Sequence, residues 1–127
     1  MDAEHRFRAL RLEELTTHDV YEFAPVHAYD PEHCTADSFW HPEYLYLEDE
    51  EWGIDVLADA LNTVFAEPPG FGWYGDTRVS LEQWAEVERL TLAAYPGRQD
   101  VEEFFSAVRH WLESGSRDAD YFWILGP

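Results

Sequence analysis

Apolar residues recur at helical spacing in three segments of the chain. The first predicts an amphipathic helix over residues 51–66, with a period of about 3.6 residues carried by Ile54, Leu57, Leu61, Val64 and Phe65. The second helix begins after Ser80, which opens a capping box, and extends to Pro96. The third begins at Asp100 by the same logic and ends at Gly115.

Three further segments predict strands. Residues 44–47 form a compact run of β-prone side chains. Residues 121–125 are apolar on both faces, which predicts a central strand. Residues 6–15 fit either helical or alternating spacing, and we interpret them as a strand.

The remaining segments predict less regular structure. Thr16 or Thr17 would cap a short helix that contains Val20, Tyr21 and Phe23 and is limited by Pro25. Residues 26–42 show no sustained period and predict a loop. Residues 71–76 predict an aromatic loop or short hairpin, because their glycines permit unusual backbone angles.

These elements predict the α+β class. We expect one acidic domain over residues 1–127, in which three or four helices pack on a sheet of two to four strands. The order of the strands does not follow from the pattern.

The charge of the chain is strongly negative. Twenty-seven Asp and Glu residues stand against eight Arg and no Lys, and the net charge is −19. Such a surface repels phosphate backbones and anionic lipid, so we expect neither direct nucleic-acid binding nor membrane adhesion.

The acidic residues are concentrated in one part of the sequence. Residues 12–77 contain sixteen of them and no Arg or Lys. Because neighbouring like charges cost stability, this concentration indicates that the electrostatic field itself is useful. A generally acidic host proteome is the alternative explanation.

Few features of the sequence predict a metal site, an enzymatic activity or export from the cell. Zinc-ligand types fall close together at His27, His33, Cys34 and His41, but their spacing matches no structural zinc site. We therefore expect neither a metal nor another cofactor, and no enzymatic activity. The single cysteine, the polar N-terminal residues and the absence of a long apolar run predict a cytoplasmic protein.

Acidic and aromatic residues together predict a surface that binds a basic protein. An acidic run leads into the first helix, and the aromatic loop supplies side chains of the type enriched among binding hot spots. The predicted partner-binding residues are Glu48, Asp49, Glu50, Glu51, Trp52, Asp55, Asp59, Trp73, Tyr74 and Asp76.

Three segments carry a resemblance to a known class of protein. DSFWHPEYLYLEDEEW, FGWYGDTRVSLEQW and YFWILGP, with the helix between the first two, are similar to the small acidic immunity proteins of bacterial polymorphic and contact-dependent toxin systems. The resemblance covers residues 38–90 and 120–127. It implies a cytoplasmic protein without catalytic residues that binds one cognate toxin domain and occludes its active site. The acidic charge of the chain favours a basic toxin domain, such as a nuclease, whose cleft must hold phosphates.

Other functions fit parts of the same pattern. A nucleic-acid mimic would use its carboxylates to block a DNA-binding protein. A small metal-dependent enzyme would use His27, His33 or His41 with nearby carboxylates. An adaptor protein from an acidic proteome would need neither carboxylates that mimic nucleic acid nor a metal site.

Overall fold

The computed structural model describes residues 7–26, 29, 32, 40, 42–50, 53–115 and 120–127. After a 3₁₀ helix at Leu12–Glu14, these residues form four strands and three α-helices. In chain order they are β1 (Val20–Ala24), β2 (Leu45–Glu48), α1 (Asp55–Val64), β3 (Asp76–Ser80), α2 (Leu81–Ala94), α3 (Gln99–Gly115) and β4 (Tyr121–Leu125). The helices pack with the sheet in one small domain, which confirms the predicted α+β class.

The four strands form one antiparallel sheet in the order β2-β1-β4-β3. Strand β4 lies between β1 and β3, which confirms the predicted central strand. In β1, Tyr21 lies opposite Leu47 of β2. The free edge of β2 is extended by Leu10, whose backbone N–H and carbonyl pair with Tyr46 over 2.8 and 2.9 Å.

The helix predicted after Thr16 or Thr17 is wrong, because residues 20–24 form β1. The Thr17 hydroxyl accepts the backbone N–H of Asp19 over 3.1 Å, a local turn rather than a helix cap. All five residues of β1 are buried, and consecutive side chains enter different clusters on the two faces of the sheet. Because β1 is buried on both faces, its sequence lacks the regular alternation of apolar and polar residues that marks a half-buried strand.

The strand predicted over residues 6–15 is also wrong, apart from the bridge at Leu10. The chain turns into the 3₁₀ helix instead, because the Glu14 side chain accepts the backbone N–H of Arg11 over 2.8 Å. The Glu14 carboxylate also pairs with Arg8.

Residues 71–75 form the predicted aromatic loop, and strand β3 begins only at Asp76, the last residue of the segment predicted to be a loop or hairpin. Its burial alternates, with Thr77 and Val79 buried and Asp76 and Arg78 exposed. Two buried residues are too few to distinguish a short edge strand from a turn by pattern alone.

The predicted helices are present with small differences at their N-termini. The capping box of α2 is confirmed, since Ser80 Oγ accepts from the Gln83 backbone over 3.0 Å and the Gln83 side chain accepts from the Ser80 backbone over 2.9 Å. Helix α3 begins at Gln99 and ends at Gly115. Helix α1 begins at Asp55 rather than at residue 51.

The sheet has two buried faces of different character. The helix-facing side packs Phe23 against Trp84 of α2 and Phe104 of α3, with ring centroids 5.6 and 6.2 Å apart. The opposite side is a smaller cluster that includes Val20, Ala24, Tyr29, Tyr44, Tyr46 and Leu125. Glu22 of β1 alternates with Tyr21 and Phe23, so it faces this second cluster.

Candidate partner-binding surface

The aromatic loop 71–75 is held to the fold by backbone hydrogen bonds. The Gly72 N–H donates to the buried Thr77 hydroxyl over 2.8 Å, and the Gly126 N–H donates to the Gly75 carbonyl over 2.8 Å. A Cβ at Gly126 would lie 2.2 Å from the Trp73 carbonyl oxygen, so only glycine permits this close approach. The loop therefore has a defined position relative to β3 and the C-terminal residues.

The three aromatic side chains of this loop differ in exposure. Phe71 is buried, Trp73 is half-buried, and Tyr74 is 86% exposed. Trp73 makes edge contacts with Phe71 and with Tyr21 of β1, at centroid distances of 4.6 and 6.1 Å. The loop thus anchors two rings and presents the third to solvent.

The acidic turn between β2 and α1 is also held in place by backbone hydrogen bonds. The Ile54 N–H donates to the Glu48 carbonyl over 2.8 Å, and a Cβ at Gly53 would lie 2.0 Å from that same oxygen. The Asp49 N–H donates to the Asp19 carbonyl over 2.9 Å, which ties the turn to the start of β1.

Tyr21 is the point at which the acidic turn and the aromatic loop meet. The pKa of its hydroxyl is raised to about 12, mainly by burial and then by the nearby Asp49, Tyr74 and Asp55 in that order. These groups come from two loops and the first turn of α1. We call Asp49, Asp55, Trp73 and Tyr74 the acidic–aromatic patch.

The described arginines do not neutralise this patch. Among the described residues, ion pairs join Arg8 to Glu14, Arg89 to Glu86, Arg98 to Asp100 and Arg109 to Glu88. None of these pairs includes Asp49 or Asp55, both of which are exposed. Within the described part of the chain, the carboxylates of the patch therefore have no ion-pair partner.

Other predicted partner residues lie outside the acidic–aromatic patch. Glu48 shares the second sheet face with Tyr46, where burial and Glu50 raise its pKa while Arg8 lowers it. The Asp76 carboxylate accepts the Tyr29 hydroxyl over 2.9 Å and is therefore engaged within the fold.

The remaining predicted residues divide into exposed ones and ones that are not described. Glu50 is exposed within the acidic turn, and Asp59 is exposed one helical turn beyond Asp55. Glu51 and Trp52 lie outside the described residues.

A buried carboxyl that the sequence analysis did not select lies on the second sheet face. Glu22 is 5% exposed, and its Oε2 accepts the backbone N–H of Trp40 over 2.9 Å. Burial raises its pKa, while hydrogen bonds from Trp40 and the Tyr46 side chain oppose that shift. Its signal in the sequence is a lone acid inside the apolar run of residues 20–24.

The structure gives no support to a metal centre or a membrane span within the residues it describes. No group of three or more His, Cys, Asp or Glu side chains there is arranged to hold a metal ion. The predicted ligand types His27, His33, Cys34 and His41 lie outside the described residues. No helix in the described part of the chain is long and apolar enough to cross a membrane.

Comparison of the chain with protein-family models, curated proteins and solved structures finds no match.

Proposed function

We propose that this chain is an immunity protein, which neutralises a toxin by binding a basic toxin domain without catalysis. The observation that carries the proposal is the exposure of Asp49, Asp55 and Tyr74 near Tyr21, which pairs with Leu47 just before the acidic turn and contacts Trp73 of the aromatic loop. This arrangement combines an exposed aromatic ring with carboxylates that have no ion-pair partner among the described residues. The resemblance to acidic immunity proteins points to the same function.

Carboxylates without an ion-pair partner in the described part of the chain suit the capture of a cationic protein. Opposed charges raise association rate constants toward about 10⁸–10⁹ M⁻¹s⁻¹ at low salt. A fast encounter is useful to an inhibitor that must bind a toxin before the toxin acts. A nuclease is the favoured target, because a nuclease needs a basic cleft to hold phosphates and carboxylates would fill that cleft.

An inhibitor must also dissociate slowly from its target, and Tyr74 supplies a contact suited to this. Tyrosine offers a large rigid surface with one hydroxyl and is enriched among residues that dominate binding energy. Its backbone is fixed through Gly75 and Gly126, so little ordering is needed on binding.

The protein is large enough to occlude an active site. It exposes 7489 Å², whereas a typical interface takes about 800 Å² from each partner, or about a tenth of this surface. The acidic–aromatic patch and the neighbouring exposed Glu50 and Asp59 supply the contact residues that we propose. The cytoplasm is the proposed compartment, since the target would be a toxin that reaches the inside of a cell.

The test is a binding measurement with the toxin domain encoded next to this gene, inactivated by substitution of its own catalytic residue. We expect a dissociation constant in the nanomolar range, inhibition of the active toxin, and an association rate that falls steeply from low to physiological salt. Failure to bind any domain encoded beside this gene would contradict the proposal. Capture of several unrelated DNA-binding proteins instead would favour nucleic-acid mimicry.

A further inference from the structure

A groove of about 190 Å³ lies between α1 and α2. Its apolar walls are formed by Val56, Ala60, Leu90 and Ala94. Asp59 contributes a carboxylate to the same groove and is exposed. Because Asp55 and Asp59 are one helical turn apart, a partner on the patch would also reach the groove.

Thr91 of α2 lines this groove and carries an unusual hydroxyl. The residue is 1% exposed, and its Oγ1 has no hydrogen-bond partner within the described part of the chain. A helical threonine often bonds to the carbonyl one turn back, as Thr63 does to Asp59 over 2.8 Å. A buried hydroxyl without such a bond costs stability, so a ligand that supplied the missing partner would gain binding energy from it.

The charge around the groove favours a cation as that ligand. Asp59 has no ion-pair partner among the described residues. Tyr95 closes the groove next to Ala94, and Arg98 lies over the Tyr95 ring at 5.5 Å. Arg98 is itself paired with Asp100 over 2.6 Å, so its charge is locally offset. The groove therefore combines apolar walls and one carboxylate, and the unpaired hydroxyl among the described residues belongs to a threonine that lines it.

We propose that this groove binds a lysine side chain of the protein partner. The methylene groups would lie along the apolar walls, and the ammonium would donate to the Asp59 carboxylate and the Thr91 hydroxyl. An ammonium suits two separate acceptors, whereas a guanidinium prefers the two oxygens of one carboxylate or phosphate. Threonine in a helix populates two χ1 rotamers, and the proposed contact would use exchange between them to bring the hydroxyl to the ligand.

The identity of the partner rests on the proposed function, but the preference of the groove for a primary ammonium does not. It is tested on the isolated protein by titration with Nα-acetyl-lysine methylamide, followed by amide NMR shifts. Nα-acetyl-norleucine methylamide, which lacks only the ammonium, is the matched probe. We expect the lysine probe to shift residues 56–63 and 90–95 saturably at millimolar concentration, with norleucine binding about five- to ten-fold weaker.

Two substitutions separate the groove from nonspecific attraction to an acidic protein. Thr91→Val keeps the shape of the side chain, so it should increase the free energy of unfolding, weaken the lysine probe and leave the norleucine probe unchanged. Asp59→Asn should weaken the lysine probe, whereas Glu102→Gln on the exposed side of α3 removes the same charge without effect.

Two results would overturn the inference. One is equal affinity for the two probes, and the other is unchanged lysine affinity in the Thr91→Val variant. If the lysine probe binds in the groove but the protein binds no toxin domain, the proposed function is overturned and the inference about the groove stands.

Discussion

The backbone N–H of Trp40 donates a 2.9 Å hydrogen bond to Oε2 of Glu22, a carboxyl that is 5% exposed. Trp40 has a φ of 58°, an angle that is unfavourable for a bulky side chain. Its indole stacks on Tyr46 with a centroid distance of 6.0 Å and an interplanar angle of 9°. The carboxyl and the stacked ring together hold this strained residue against the sheet.

This relationship predicts a specific pH dependence of stability. Burial raises the pKa of Glu22 above its ordinary value of 4.5. Between that value and the raised pKa, the folded protein binds more protons at Glu22 than the unfolded chain does, so this group reduces stability as the pH rises. Glu22→Gln should therefore raise the unfolding midpoint at pH 7 and have little effect on it at pH 4.

The measurement is thermal unfolding of both proteins across this pH range. The repulsion among the other carboxylates is common to the two proteins and cancels in their difference. The amide introduced by Glu22→Gln keeps an oxygen acceptor for the Trp40 N–H, so the strained backbone retains its bond. A difference that grows as the pH falls would show that the carboxylate, and not the neutral carboxyl, is the favoured form.

The close approach of Gly126 to Trp73 predicts unequal effects of two glycine substitutions. Gly126→Ala places a Cβ 2.2 Å from the Trp73 carbonyl oxygen and should reduce the free energy of unfolding by about 1–3 kcal/mol. Gly75→Ala meets no atom within 4 Å and should change it by less than about 0.5 kcal/mol. Urea unfolding measures the change in the free energy of unfolding for both variants. Equal losses of stability would contradict the close packing of the loop against Gly126.

The capping box of α2 predicts the effect of removing one hydroxyl. Ser80→Ala leaves the Gln83 N–H without its side-chain acceptor and should reduce the free energy of unfolding by about 1 kcal/mol. Ser106→Ala, at an exposed position in the interior of α3, is the control and should be neutral or slightly stabilising because alanine favours helix. Chemical denaturation distinguishes the two, and equal effects would contradict a specific role for the cap.

The helices and the central strand could be predicted because their signals are local. Ser80 and Gln83 are close in sequence, and the apolar residues of α1 repeat with a regular period. Strand β1 could not be predicted in this way, because its second face is buried in a cluster with Tyr44 and Tyr46, which lie about twenty residues or more away in the sequence. Long-range burial makes such a strand resemble any other short apolar run.

The candidate patch shows the same division between local and long-range information. Asp49, Asp55, Trp73 and Tyr74 could be selected from the sequence by charge and residue type. Their meeting point at Tyr21 could not, because it depends on the pairing of Tyr21 with Leu47 and on the contact of Tyr21 with Trp73. The role of Glu22 likewise requires knowledge of which sheet face is covered.

The acidic–aromatic patch predicts that charge and the aromatic ring affect different rate constants. The double substitution Asp49→Asn and Asp55→Asn should lower the association rate with the toxin domain by about ten-fold at low salt, with a smaller effect at high salt. Tyr74→Ala should instead raise the dissociation rate about ten-fold or more, which corresponds to about 1.4 kcal/mol. The exposed position of Tyr74 means that its removal should leave the free energy of unfolding nearly unchanged.

Surface plasmon resonance over a salt series resolves the two rates, with Glu102→Gln as the charge control. The patch would be the wrong surface if the double variant and this control behaved alike and Tyr74→Ala bound normally.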